Sequence, residues 1–307
     1  MLTTIERAAI DGHRRSLDAA PPADADADDV ALYFGIRLLL EAGQLVRARR
    51  GRTAQAGVTI KEDGSPATEV EHRIESRLRS WLSAVGSDAV VVGEETGGVL
   101  PSAGTAIAID PIDGTRAFLS ETETYSTTLA VIRDGEVVLG MVSNPTAGEI
   151  AYAAEGGASR LIRLSTFGEP DEATVLKHPS TLERPLLVNI HPSRHGAYVV
   201  AALYRAWGQR EVAMVRSPGG SPAWALVEAA RGHFVYANLW SKRAAEAFDL
   251  AAGVLIVRQA GGEVSDLDGE PVDALRHRGP FVAGVNPQMV SRIAGLVRGS
   301  LGDGEAK

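Results

Sequence analysis

The stretch Thr105–Thr115, TAIAIDPIDGT, constrains this chain more than any other. Ile107 and Ile109 alternate with smaller residues and lead into Asp110, the pattern of a buried strand that ends on a carboxylate. Pro111 and Gly114 are expected to stop the strand and turn the chain. Asp110 and Asp113 on such a turn can aim at one point, and the carbonyl of Ile112 between them is free to face the same way. This arrangement suits a hard cation, because oxygen-only donors favour Mg²⁺ over zinc or copper.

A cation needs further ligands, and acids recur in comparable settings. Val90-Val91-Val92-Gly93-Glu94-Glu95 reads as a second apolar strand ending on acids, and an apolar helix opens on Asp249 in Ala247–Gly253. Asp63 lies in a Gly/Pro loop, Lys61–Thr68, ahead of another helix. The runs Gly93-Glu94-Glu95, Asp110-Pro111-Ile112-Asp113-Gly114-Thr115 and Phe248-Asp249-Leu250-Ala251-Ala252-Gly253 resemble the inositol monophosphatase family of Mg²⁺-dependent, lithium-sensitive phosphatases. The resemblance extends from about Val30 to Leu296. Phe248 departs from it, standing where the family usually has Trp.

The resemblance implies the layered αβαβα sandwich of the inositol monophosphatase and fructose-1,6-bisphosphatase type. It also implies a phosphomonoesterase that hydrolyses a small polyol or sugar phosphate by direct attack of metal-activated water. On that basis Glu94, Asp110, Asp113, Asp249 and the Ile112 carbonyl hold two or three Mg²⁺ ions, with Glu95 a weaker candidate standing behind them. So many carboxylates together would repel one another without cations. Asp63 and Thr115 match the family's water-activating pair. Each of Thr115 and Asp249, taken alone, would equally suit a helix N-cap.

Phosphate needs donors, and Gly114-Thr115 and Gly220-Ser221 both fall where helix N-termini are expected. Lys242, beside Trp240 and Arg243, could meet a second phosphate or an acidic substituent, or lie in a solvated loop. Thr68 and Glu71 form a T-x-x-E capping box. The family usually has Asp at the position of Glu71; local capping accounts for this glutamate, and it receives no catalytic role here.

Composition narrows the rest. At 307 residues the chain can build one large domain or two fused halves. The absence of cysteine excludes disulfides, thiol catalysis and Cys-ligated zinc. A net charge of −8 argues against a nucleic-acid polymer or an anionic membrane as partner, leaving a small phosphorylated metabolite. No window approaches the roughly 20 apolar residues of a membrane span, so the cytoplasm is the expected location. A homodimer is expected by resemblance alone.

Four regions follow. Residues 1–29 combine a short helical candidate with the acidic run Pro21–Asp29, read as a poorly ordered lead-in. Residues 30–160 form an α+β half with the metal site, starting with helices over Val30–Arg50 and Thr68–Val85 and closing on strands between Leu129 and Tyr152. Residues 161–184 read as a loop-rich connector, and 185–300 as an α/β half that completes the site.

Two rivals remain open, and the spacing of the aspartates argues against a third. Lys61-x-Asp63-x-Ser65-Pro66-x-Thr68 looks more like the form found in 3′(2′),5′-bisphosphate nucleotidases and histidinol-phosphate phosphatases. A catalytically silent binding protein on this fold is the alternative outside enzymes. An aspartyl-phosphate mechanism needs two aspartates separated by one residue, whereas Asp110 and Asp113 are separated by two.

Overall fold

The computed structural model describes residues 1–15, 19–49, 59–60, 66–84, 86–165, 171–176, 187–191, 197–239 and 247–302. In chain order the first part comprises α1 (Thr4–Arg15), α2 (Ala27–Arg49), β1 (Thr59–Ile60), β2 (Pro66–Ala67), α3 (Glu69–Ala84), β3 (Val90–Gly93), β4 (Thr105–Asp113), α4 (Thr115–Leu119), β5 (Ser126–Arg133), β6 (Glu136–Asn144), β7 (Glu149–Ala154), β8 (Arg160–Arg163) and β9 (Glu172–Val175). The second comprises β10 (Leu187–His191), α5 (Ala197–Gly208), β11 (Met214–Arg216), α6 (Pro222–Ala230), β12 (Val235–Asn238), α7 (Ala247–Gln259), β13 (Glu263–Asp266), β14 (Phe281–Gly284) and α8 (Pro287–Gly302).

Strands β3 to β9 form a seven-stranded sheet in sequence order, antiparallel except for the parallel β3–β4 pair. A five-stranded sheet has the order β11-β10-β12-β14-β13. Strand alternation splits the large sheet's side chains between two cores. Ile107, Ile109, Leu129, Val131, Leu139 and Met141 pack with α1, α2 and α3. Ala106, Ala108, Ala130, Ala151 and Ala153 face α6 and α7 instead. On this second face a Cβ at Gly140 would lie 2.7 Å from Ala252 Cα, so bare backbone lets α7 sit directly on the strand. Helices α5 and α8 cover the far face of the small sheet through Leu203, Val290, Ile293 and Val297. The resulting layers are α1–α3, large sheet, α6–α7, small sheet, α5 and α8, the expected αβαβα order.

Three expectations change. The lead-in is partly built into the core: Ile5, Ala9 and Ile10 of α1 are buried, and Glu6 is fully buried. Glu6 accepts hydrogen bonds from Arg160 Nε (2.8 Å) and Nη2 (2.9 Å) and from Tyr152 Oη (2.9 Å), tying α1 to β7 and β8. The acidic run lies at the surface, where Asp26 Oδ1 accepts from the amides of Asp28 (3.0 Å) and Asp29 (2.8 Å) and starts α2. The expected connector contributes the outer strands β8 and β9, so the large sheet runs beyond residue 160. Lastly, β4 does not stop at Asp110 but continues to Asp113 through a register shift against β5.

Candidate active site

The register shift in β4 is what gathers the aspartates. In a regular strand, residues 110 and 113 would point to opposite faces; an irregularity between them re-aims one side chain. Buried hydroxyls of β5 hold it there. Thr127 Oγ1 donates to Pro111 O at 2.8 Å, and the Asp110 amide donates to Thr128 Oγ1 at 3.3 Å. Thr128 Oγ1 in turn donates to Phe248 O at 2.5 Å, which pins the start of α7 and with it Asp249. Asp110, Asp113 and Asp249 bring one carboxylate oxygen each within 4.8 Å of one another.

Asp113 also docks on α6. Its Oδ2 accepts from the Ala223 amide at 2.8 Å and from the Ser221 hydroxyl. Ser221 caps the helix by accepting from the Trp224 amide at 2.7 Å, and its own amide donates to Thr124 O at 2.7 Å. Pro222 has no N–H. The amides of Ser221, Ala223 and Trp224 and the Ser221 hydroxyl are thus engaged inside the protein, and Ser221 holds Asp113 in place. Gly114 completes the junction: at φ 89° a Cβ there would lie 2.8 Å from Ser221 N.

Glutamates form the other side. Glu71, Glu94 and Glu95 likewise bring one oxygen each within 4.8 Å of one another. Glu71 serves two purposes at once: Oε2 accepts from the Thr68 amide, as the capping box requires, while Oε1 accepts from Thr115 Oγ1 at 3.0 Å. The reciprocal half of the box is missing, because Thr68 Oγ1 is buried without a partner. Thr115 Oγ1 also lies 3.1 Å from the Ile112 carbonyl, so its single proton has two acceptors.

The electrostatics match this crowding. Burial, then the charges of Glu95 and Glu94, push the Glu71 carboxyl up to about 8. Burial raises Asp113 to about 7, helped by Glu94 and opposed by its bonds to Ser221 and the Ala223 amide. Asp110 is raised well above the usual carboxylate range by burial, Glu94, Asp113 and Asp249. Protons held that strongly by mutually repelling oxygens mark a place where a divalent cation fits, and the donors are all hard oxygens.

Of the sequence-predicted residues, Glu94, Asp110, Ile112, Asp113, Gly114, Thr115 and Asp249 occur around this site, while Asp63 and Lys242 lie outside the described residues. Sequence reasoning gave Glu71 a capping role alone and passed over Glu75, Ser126, Thr127 and Thr128, and all five are fully buried. The Ser-Thr-Thr run opening an apolar strand, and acids four apart on the apolar face of α3, were the available signals.

A five-layered fold with an oxygen-only carboxylate site beside a threonine hydroxyl has what a metal-dependent phosphoric monoester hydrolase needs. Within that class, a sequence model of the inositol monophosphatase family matches residues 28–300, and the chain belongs to this family. Among its relatives, the histidinol-phosphatase of Chlorobaculum parvum is 29% identical over 245 residues, covering 78% of this chain and 86% of its own. The inositol-1-monophosphatase of Rhizobium meliloti is 28% identical over 255 residues, covering 81% and 90%. The Thermotoga maritima IMPase structure superposes with a TM-score of 0.72 at 23% identity, over 89% of this chain and 98% of that one, a likeness of fold.

Proposed function

We propose that the chain hydrolyses a small polyol or sugar monophosphate, inositol monophosphate first, with Mg²⁺ bound by Glu94, Asp110, Asp113, Asp249 and the Ile112 carbonyl. The observation that carries this reading is the Thr115 hydroxyl, set against Glu71 at 3.0 Å beside both carboxylate groups. When bound, the cation would neutralise the phosphate and lower the pKa of water. Thr115, its hydroxyl hydrogen-bonded to Glu71, keeps a lone pair with which to accept a hydrogen bond from water and orient it for in-line attack. Asp63, the water-activating partner of Thr115 expected from the sequence, belongs to the same proposal; among the described residues Glu71 and the Ile112 carbonyl accept from Thr115. Amides of Gly114 and Thr115, at the start of α4, are the proposed phosphate donors.

A histidinol phosphate substrate is the second reading, favoured by the histidinol-phosphatase relative at 29% identity. Lithium inhibition, a homodimer and a cytoplasmic location belong to the same proposal and rest on family membership. Among the described residues no helix is long and apolar enough to cross a membrane. The test is phosphate release with and without Mg²⁺ from inositol 1-phosphate, fructose 1,6-bisphosphate, histidinol phosphate and adenosine 3′,5′-bisphosphate. Mg²⁺-dependent turnover of inositol 1-phosphate above the others is expected. A clear preference for histidinol phosphate would select the second reading, and no release from any of the four would overturn both.

A further inference from the structure

Helix α3 presents Glu71, Glu75 and Arg79 on successive turns of one face, a spacing of four residues each time. Glu71 serves Thr115. Glu75 and Arg79 serve the turn that carries Glu94 and Glu95. Glu75, fully buried, accepts from the Glu95 amide at 2.8 Å, from the Thr96 amide at 3.2 Å and from the Thr96 hydroxyl. Arg79 Nη2 donates to the same hydroxyl oxygen at 2.5 Å and to Val91 O at 3.4 Å. Gly93 and Gly97 close the turn with two backbone bonds of 3.0 and 2.9 Å.

Gly93 shows how tightly this carboxylate is seated. A Cβ at Gly93 would fall 2.2 to 2.4 Å from the carboxylate atoms of Glu75. Gly93 is not among the glycines with positive φ, so occupied space, not backbone conformation, requires glycine there. One buried carboxylate thus fixes two consecutive amides of a turn whose side chains form the glutamate side of the site.

We propose that Glu75 is a positioning residue that, by ordering Gly93–Thr96, sets how tightly the glutamate side holds its divalent cation. The proposal rests on the metal reading above. Glu75 faces three donors and gives up none of its own, a role the carboxamide of glutamine cannot copy: its NH₂ must oppose an N–H or O–H donor.

The test is Mn²⁺ binding, followed by electron paramagnetic resonance of the free ion, in wild type, Glu75→Gln and Thr96→Val. Residues that orient metal ligands typically govern roughly 10- to 100-fold in metal affinity. The Mn²⁺ dissociation constant of Glu75→Gln is expected to rise about 10-fold, and that of Thr96→Val, which removes one of the three donors, a few-fold. Phosphatase activity lost by Glu75→Gln at limiting Mg²⁺ should return as Mg²⁺ is raised, a rescue that a merely structural defect would not give. Wild-type Mn²⁺ affinity in both variants overturns the role of Glu75 and leaves the metal reading standing. Failure of the wild type itself to bind Mn²⁺ overturns the metal reading and this proposal with it. Should Glu75→Gln not fold, Thr96→Val decides alone, with unchanged affinity counting against the proposal.

Discussion

The two sides of the site are built differently. Asp110, Asp113 and Asp249 are short side chains on elements of the central layers, tied by Thr128, Ser221 and the first turn of α6. Glu71, Glu94 and Glu95 are longer, and two of them project from a turn after β3, the edge strand of its sheet. The aspartate geometry follows from packing that the whole fold needs. The glutamate geometry depends on a few hydrogen bonds from α3. On the proposed metal reading, the first side sets where the cation is held and the second how tightly.

That contrast can be broken by mutation. Asp110→Asn strikes the side where one oxygen has no substitute. It should lower kcat by about 10³-fold, some 4 kcal/mol, in steady-state phosphate release; activity within tenfold of wild type would contradict the assignment. Glu71→Gln should cost less, about 10²-fold, because it removes the carboxylate that can take up the Thr115 proton while leaving a hydrogen-bond acceptor in place. Its signature is a flattened pH–rate profile measured at saturating Mg²⁺.

The metal-free protein sharpens the comparison through pH. Glu71 and Asp113 titrate higher in the folded chain, near 8 and 7, than unfolded, so the folded state binds more protons between about pH 4 and 8. Their neutral forms contribute stability that is fully present below pH 4 and is lost as pH rises through 7 to 8. Chelated protein should therefore lose several degrees of Tm over that range in calorimetry, and Mg²⁺ should abolish the slope. The smallest effect is expected for Ser221→Ala, which removes a helix cap worth about 1 kcal/mol and one of two bonds to Asp113 Oδ2. Thermal melts should register it, with a modest weakening of metal binding.

Much of the aspartate side is legible in the sequence because it coincides with sharp local signals. The Ile107–Ile109 alternation running into Asp110, and Asp249 at the head of an apolar helix, each announce an element and a proposed ligand together. The glutamate side is harder to read because its residues have sufficient local explanations. Glu71 satisfies a capping box, and nothing in T-x-x-E tells that the second oxygen reaches a threonine 44 positions on. Glu75 looks like any acid in a helix until its partners, 20 and 21 positions later, are known. In the expected connector the reading erred through composition: Arg160–Arg163 and Glu172–Val175 lie in a stretch too polar to suggest strands. The burial of Glu6 depends on an arginine 154 positions away. Helix α8, opened by Pro287, went unread although its apolar positions are spaced helically.

The glycine contact on the large sheet has a metrological consequence. Asp249 rides on α7, and α7 rests on the backbone at Gly140 with no side chain between them. The height of Asp249 above the sheet that carries Asp110 and Asp113 is thereby gauged by the radius of one helix in direct contact with a strand. A single methyl group at position 140 would act as a shim, raising the whole helix and opening the aspartate triangle, although it lies in a different layer of contacts from any ligand.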